Sequence, residues 1–239
     1  MTRQAKFRMT TLTLAFLAAF SSLIGKENSP ERKTTGLLTD RLTARQGKVW
    51  ESIRQVAMAR DKAGRLQHPQ LHELFEQAEN SGFAIYVELP QPKSSSPYTC
   101  GTFSVEKAES GDQVRVGVIR LYLSTIEMAS TSGRGRRENG FAPFEKLNNK
   151  KLRYAEVLGH ELVHALLTLK DLRLARLTRE MERETAELQR YRQSRQGESL
   201  DQETRERLRR IESLSQEVER QAEAVEVNVW RELVKSQGE

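Results

Sequence analysis

The run HELVH, in which His160 and His164 lie four residues apart and Glu161 follows the first of them, constrains the fold of this chain more than any other feature. Positions four apart share one face of an α-helix, so both imidazoles can bind one metal ion with the glutamate beside them. Residues 157–167 carry no charged residue other than Glu161. Because burying these groups in an apolar helix is costly unless they have partners, the run predicts a buried, metal-binding helix. The alternative interpretation is a core helix whose histidines bond to backbone carbonyls.

The residues around this run resemble the extended signature of the zincin metallopeptidases. That signature has Val or Thr three positions before the first histidine, uncharged neighbours and an apolar residue at its end, and Val157 and Leu166 fit it. The resemblance implies that His160 and His164 hold Zn²⁺. It also implies that Glu161 is the general base, which takes a proton from a zinc-bound water as the water attacks a peptide carbonyl. The expected activity is that of a zinc metallopeptidase with a protein or peptide as substrate.

The residues after the run distinguish the branches of the zincins. A metzincin requires a glycine three residues and a histidine six residues after the second histidine, where this chain has Leu167 and Lys170. No histidine follows His164. The chain therefore resembles the glutamate-type zincins, or gluzincins, and this resemblance implies a carboxylate as the third zinc ligand.

Glu219 begins the run ERQAE, which resembles the gluzincin pattern Glu-x-x-Ala-Asp. In that pattern the first glutamate binds zinc, and the acid four residues later bonds the far nitrogen of a ligand histidine. The resemblance implies Glu219 as the ligand and Glu223, in place of the usual aspartate, as the supporting acid. Glu223 and Glu226 are alternative ligands, since Glu226 flanks the predicted apolar stripe of this helix as Glu219 does. Asn228 and Arg231 are predicted to brace the site from the same helix.

Other polar side chains have weaker signals. The group that stabilises the oxyanion is not identified by the sequence, and Tyr154, Tyr191, Arg231 and His72 are the candidates. His68 and His72 are also four residues apart, but the proline between them places His68 at or before the start of its helix. We therefore predict that these two histidines are surface residues and not a second metal site.

The pattern of apolar residues predicts an α+β fold. Alternation in residues 83–89 and 101–107 predicts strands, and residues 114–123 predict a third strand with a bulge near Val118. We expect a small twisted sheet of three or more strands, mostly antiparallel, packed on the motif helix, with helices in the N-terminal part. A charged helical hairpin over about residues 172–215, with its tip near Gly197, is expected to return the chain to the metal after a break within residues 168–171.

The N-terminus predicts export. Basic residues precede residues 9–24, which carry no charge and fit the apolar region of a signal peptide. The predicted organisation is a signal peptide or anchor at 1–25, a linker and N-terminal helices at 26–80, and a zincin-like domain at 81–239. The expected location is periplasmic, secreted or, if the N-terminal segment is retained, tethered to a membrane.

Composition adds few constraints on partners. The net charge is +6, but no basic patch is interleaved with aromatic residues, so we expect no nucleic-acid partner. Cys100 is the only cysteine, which excludes an intramolecular disulfide. The alternative to a peptidase is a non-catalytic interaction protein that binds a partner through the charged hairpin and holds a structural or degenerate metal site. A closed four-ligand site would favour this alternative, and an open coordination position would favour the enzyme.

Overall fold

A computed structural model describes residues 34–91, 99–108, 115–132, 147–194 and 202–237. The predicted signal segment and the hairpin tip at Gly197 lie outside these residues. The fold is α+β, as predicted, with four strands and six helices in the described part of the chain. The elements are β1 (Gly36–Leu38), α1 (Ala44–Ala57), α2 (Pro69–Glu79), β2 (Ala84–Glu88), β3 (Gly101–Ala108), β4 (Arg115–Leu121), α3 (Leu123–Ser132), α4 (Lys150–Lys170), α5 (Leu172–Ser194) and α6 (Gln202–Ser236). No helix within the described ranges is long and apolar enough to cross a membrane.

The strands form one mixed sheet in the order β1-β2-β4-β3. Of the strands that the structure describes, β1, β2 and β4 are parallel, and β3 is antiparallel to β4. A sheet of three or more strands is confirmed, but the prediction that it is mostly antiparallel is wrong. Alternation reports which face of a strand is buried, and it does not report the direction of the neighbouring strand. Here β4 lies between β3 and β2; it runs antiparallel to β3 and parallel to β2.

The apolar pattern of β4 has a different cause from the predicted bulge near Val118. The consecutive residues Val118 and Ile119 are both fully buried, so β4 is a central strand covered on both faces. The bulge lies in β3 instead, where the register shifts between Val105 and Lys107. Glu106, the extra residue, is exposed and pairs with Arg41 at 2.8 Å. The bulge therefore bends β3, the same strand that approaches α4 at Gly101.

The motif helix α4 is the centre of the fold. It contacts all five other helices of the described chain and the strands β3 and β4. Asn149 caps its first turn by accepting a hydrogen bond from the Lys151 amide at 2.9 Å. Most of the helix is buried, as predicted. It ends at Lys170, and the extended residue Asp171 separates it from α5, which confirms a break within residues 168–171.

Two short elements differ from the predictions for the N-terminal and strand regions. Strand β1 is not predicted, because three residues are too few to show alternation. Helix α3 begins at Leu123, the residue that the prediction assigns to the end of the third strand. The N-terminal helices are found, and Pro69 is the first residue of α2, as predicted.

Helix α6 packs on α4 through the predicted apolar stripe. Ala222, Val229 and Leu233 are fully buried. The two helices approach closely at Gly159, where an added Cβ would lie 3.3 Å from a methyl group of Val229. Small residues at such a contact let two helices pack side by side, and the same contact sets which residues of α6 face the histidines of α4.

His68 corrects the prediction of a surface position, because it is only 1% exposed. Its side chain forms a hydrogen bond with the backbone of Glu232, and burial lowers its pKa below the usual value. The Glu232 carboxylate in turn accepts a hydrogen bond from the Gln70 amide at 3.0 Å, in the first turn of α2. His72 lies 3.3 Å from Glu76 on its own helix. His68 and Glu232 therefore join α2 to α6.

Candidate metal centre

His160, His164 and Glu219 come together where α4 meets α6. The Nε2 atoms of the two histidines are 3.0 Å apart. Glu219 lies across both of them, with Oε1 at 3.4 Å from His160 Nε2 and Oε2 at 3.1 Å from His164 Nε2. One ligand atom from each residue lies within 4.8 Å of the others. The structure thus brings the two motif histidines together with the glutamate that the ERQAE run indicates.

The separations of these atoms fit a tetrahedral zinc site. Two ligands, each about 2.0–2.1 Å from Zn²⁺ in a tetrahedral site, are about 3.3–3.4 Å from each other. The observed distances of 3.0, 3.1 and 3.4 Å are close to that value, with Oε2 of Glu219 nearest His164 and Oε1 nearest His160. If one Glu219 oxygen bound the ion together with both imidazoles, three positions of a tetrahedral site would be filled and one would remain for a fourth ligand.

The three side chains differ in exposure. The His160 side chain is 8% exposed, the His164 side chain 16% and the Glu219 side chain 40%. Among the described residues, exposure therefore increases from the core of α4 towards Glu219.

Glu226 lies on the other side of the His160 ring. Its Oε2 is 3.3 Å from His160 Nδ1, and the residue is 1% exposed. A carboxylate beside Nδ1 favours the tautomer with its proton on that nitrogen, so the lone pair of Nε2 faces His164 and Glu219. Lone pairs from an imidazole and a carboxylate then converge on one point, an arrangement that a cation stabilises. The donor set therefore fits Zn²⁺, for which imidazole and carboxylate are usual ligands.

Glu161 faces the sheet and not α6. It is 6% exposed, and its carboxylate lies against Gly101 at the start of β3. A Cβ built on Gly101 would be 2.6 Å from Oε1 of Glu161 and 2.8 Å from a methyl group of Val157. A glycine is therefore required here because of space. This close approach places Glu161, the predicted base, between α4 and the edge strand β3.

The backbone of β3 alternates between the sheet and its outer edge. The Cys100 carbonyl accepts a hydrogen bond from the Tyr122 amide on the side of β4. Alternate residues of an antiparallel strand direct their N–H and C=O groups to opposite sides, so those of Gly101 and Phe103 face outwards. The amide of Val105 also faces outwards, since it donates to Glu182 of α5 at 3.3 Å. The outer edge of β3 therefore begins beside Glu161 and runs towards α5.

Three residues predicted near the site lie elsewhere. Asn228 and Arg231, which are predicted to brace the site, are exposed on α6, where Arg231 donates a hydrogen bond to Asn228 at 3.3 Å. Tyr154, a candidate for the oxyanion group, donates its hydroxyl to Glu127 of α3. Burial and this neighbouring carboxylate raise the pKa of Tyr154 well above its usual value, which does not suit a proton donor.

The supporting acid also differs from the prediction. The resemblance implies Glu223, but it is Glu226 that lies beside His160 Nδ1, two turns of helix after Glu219. Glu223 lies one turn after Glu219 and is half-buried. The sequence contained a usable signal, because Glu226 flanks the buried stripe of α6. The role of Gly101 also had a signal, since glycine inside a strand indicates that another group approaches the backbone closely.

Comparison of the chain with protein-family models, with curated proteins and with solved structures gives no match.

Proposed function

We propose that the protein is a zinc-dependent peptidase of the gluzincin type, with His160, His164 and Glu219 as the zinc ligands. The observation that supports the proposal is the approach of the Glu219 carboxylate to both imidazoles, at 3.4 Å from His160 Nε2 and 3.1 Å from His164 Nε2, while these two nitrogens lie 3.0 Å apart. When bound, Zn²⁺ would supply Lewis acidity, lowering the pKa of a water molecule and polarising a carbonyl group. Glu226 holds the His160 ring in the orientation that this ligation requires.

Glu161 is the proposed general base. It follows a ligand histidine on α4 but points to β3, so it does not share the triangle of ligand atoms. A carboxylate in this place can take the proton of an attacking water and transfer it to the leaving amine. Glu161 is only 6% exposed, so little bulk water reaches its carboxylate to exchange the proton that it takes.

The outer edge of β3 is the proposed binding surface for the substrate backbone. An extended peptide can add to an open strand edge through main-chain hydrogen bonds. The outward groups of Gly101 and Phe103 begin beside the carboxylate of Glu161, so a peptide bond paired there would lie next to the base. Strand addition thus brings a peptide bond to the site without requiring a particular side chain.

The test uses the full chain loaded with one equivalent of Zn²⁺ and a mixture of unstructured peptides, with products identified by mass spectrometry. We expect wild-type protein to cleave peptides and Glu161→Gln to be at least about 100-fold slower, because the base is lost. Both proteins should keep about one zinc per chain. Glu180→Gln, which changes an exposed glutamate on α5, is the matched control and should retain activity. Undiminished cleavage by Glu161→Gln, or no cleavage by the zinc-loaded wild type, would contradict the proposal.

A further inference from the structure

Helix α5 lies along the outer edge of β3. It starts immediately after Asp171 at the end of α4, and it contacts β3. Glu182 of α5 accepts a hydrogen bond from the outward amide of Val105 at 3.3 Å. An amide that is bonded to α5 is not available to an added peptide strand. The outward amide of Val105, four residues after Gly101, is therefore already bonded within the protein.

The stretch of edge between Gly101 and Val105 is short. At about 3.3 Å per residue, the four steps from Gly101 to Val105 span about 13 Å. Part of that length is taken by the Glu182 side chain itself. The remaining edge accommodates about two or three residues of an added peptide between the base and α5.

The direction of an added strand determines which end of a peptide meets α5. Antiparallel pairing is the more stable arrangement per residue. A peptide antiparallel to β3 has its N-terminus on the side of Val105 and runs towards Glu161 at Gly101. The chemistry of Glu182 favours the same direction, because a carboxylate attracts an α-ammonium group and repels a carboxylate terminus.

Glu182 is suited to bind an ammonium group. Desolvation raises its pKa, so this carboxylate is partly removed from water, where an ion pair gains more than it does on an exposed surface. One hydrogen bond from Val105 leaves acceptor capacity on a carboxylate. Two nearby cations, Arg120 and Arg179, lower the pKa of Glu182 and so partly oppose the effect of desolvation. Arg120 is itself paired with Glu88 at 2.9 Å, which reduces its competition for Glu182.

We propose that α5 closes the amino-terminal end of the peptide site and that Glu182 is a specificity-determining residue that binds the free α-ammonium group of the substrate. Cleavage is then confined to the first two or three residues of peptides with a free N-terminus. This inference rests on the proposed peptidase function, and it adds the substrate class: short or unfolded chains with an unblocked N-terminus.

Binding is measured separately from hydrolysis, so that the two proposals can fail independently. Peptides of four to eight residues with a fluorophore at the C-terminus are prepared in pairs, with a free or an acetylated N-terminus. Their affinity for the zinc-loaded, full-length Glu161→Gln protein is measured by fluorescence anisotropy. We expect the free form to bind about tenfold more tightly, as for a charge-assisted hydrogen bond.

The assignment of this preference to Glu182 is tested by adding a second substitution. Glu182→Gln removes the charge but keeps an acceptor for the Val105 amide, and it should abolish the difference between free and acetylated peptides. Glu180→Gln, an exposed glutamate on the same helix, should leave the difference intact. Equal binding of the two peptide forms, a preference that survives Glu182→Gln, or no measurable binding of any peptide would overturn the inference. A clear preference without hydrolysis by the wild type would leave Glu182 as the ammonium site and overturn the peptidase proposal alone.

Discussion

The Oε2 atom of Glu226 lies 3.3 Å from Nδ1 of His160, on the side of the ring opposite to the one that faces His164 and Glu219. The two residues belong to different helices, so this contact links the packing of α6 on α4 to the orientation of a proposed zinc ligand. A shift of α6 would move Glu219 and Glu226 together. The proposed metal site and the helix interface are therefore one structural unit.

The contact predicts the effect of Glu226→Gln. Loss of the charge beside Nδ1 weakens the orientation and basicity of His160, and we expect the zinc dissociation constant to rise about 10- to 100-fold. Competition with a chromogenic chelator measures this constant. Glu223→Gln is the matched control on the same helix and should change it much less. A larger effect of Glu223→Gln than of Glu226→Gln would restore the supporting acid that the motif resemblance implies.

Removal of the third ligand has a distinct signature. Glu219→Ala leaves both histidines in place, so the purified protein should still bind zinc, but far more weakly than the wild type, and peptide hydrolysis should be lost. Zinc per chain after gel filtration, measured by mass spectrometry, reports this change. Glu223→Ala, which removes a neighbouring carboxylate of α6, is compared under the same conditions. Full zinc retention in Glu219→Ala would assign the ligand to another residue.

Gly101→Ala tests the closeness of Glu161 to the edge strand. The added methyl group would lie 2.6 Å from Oε1 of Glu161, so the carboxylate must move. We expect at least about a tenfold loss of peptide hydrolysis, since small displacements of a catalytic group are costly, with zinc content unchanged. Gly82→Ala is the control, because no atom lies within 4 Å of a Cβ at that position. Equal activity of the two variants would show that Glu161 is not positioned by β3.

His68 predicts a pH dependence of stability that does not involve the metal. Burial lowers its pKa below 6.5 in the folded protein, so the unfolded chain takes up the proton first as the pH falls. His68 therefore stabilises the fold fully above about pH 6.5, and this contribution is lost as the pH decreases towards the lowered pKa, with a slope of at most about 1.4 kcal/mol per pH unit.

Urea unfolding of the chelator-treated protein between pH 7.5 and 5 measures this slope. In His68→Gln it should become shallower, whatever the stability of the variant at pH 7.5. Subtracting the two curves cancels the contributions of all other groups, which both proteins share. Parallel curves for the wild type and the variant would contradict a buried, neutral His68.

Local patterns in the sequence determined much of this site. The apolar surroundings of His160 and Glu161 predicted a buried helix, and the stripe containing Ala222 and Val229 predicted the buried face of α6. Both signals come from residues close in the chain, where helical periodicity relates sequence directly to a buried face. The break after α4 was inferred differently, from the need for a hairpin with arms of unequal length to return Glu219 to the histidines.

Relationships between distant residues could not be predicted in the same way. The insertion of β4 between β2 and β3 depends on long-range pairing, and the burial of both Val118 and Ile119 was interpreted as a bulge because alternation alone cannot identify a central strand. The choice of Glu226 over Glu223 beside His160 depends on the rotation of α6 about its axis, which is set by contacts such as that of Gly159 with Val229.

Zinc K-edge X-ray absorption of the full-length, zinc-loaded protein measures the number, type and distance of the atoms bound to zinc. We expect four-coordinate zinc with two imidazole nitrogens at about 2.0–2.1 Å and two oxygen ligands, as for His160, His164, Glu219 and one solvent molecule. A spectrum with fewer than two imidazoles, or with no oxygen ligand, would contradict the proposed site.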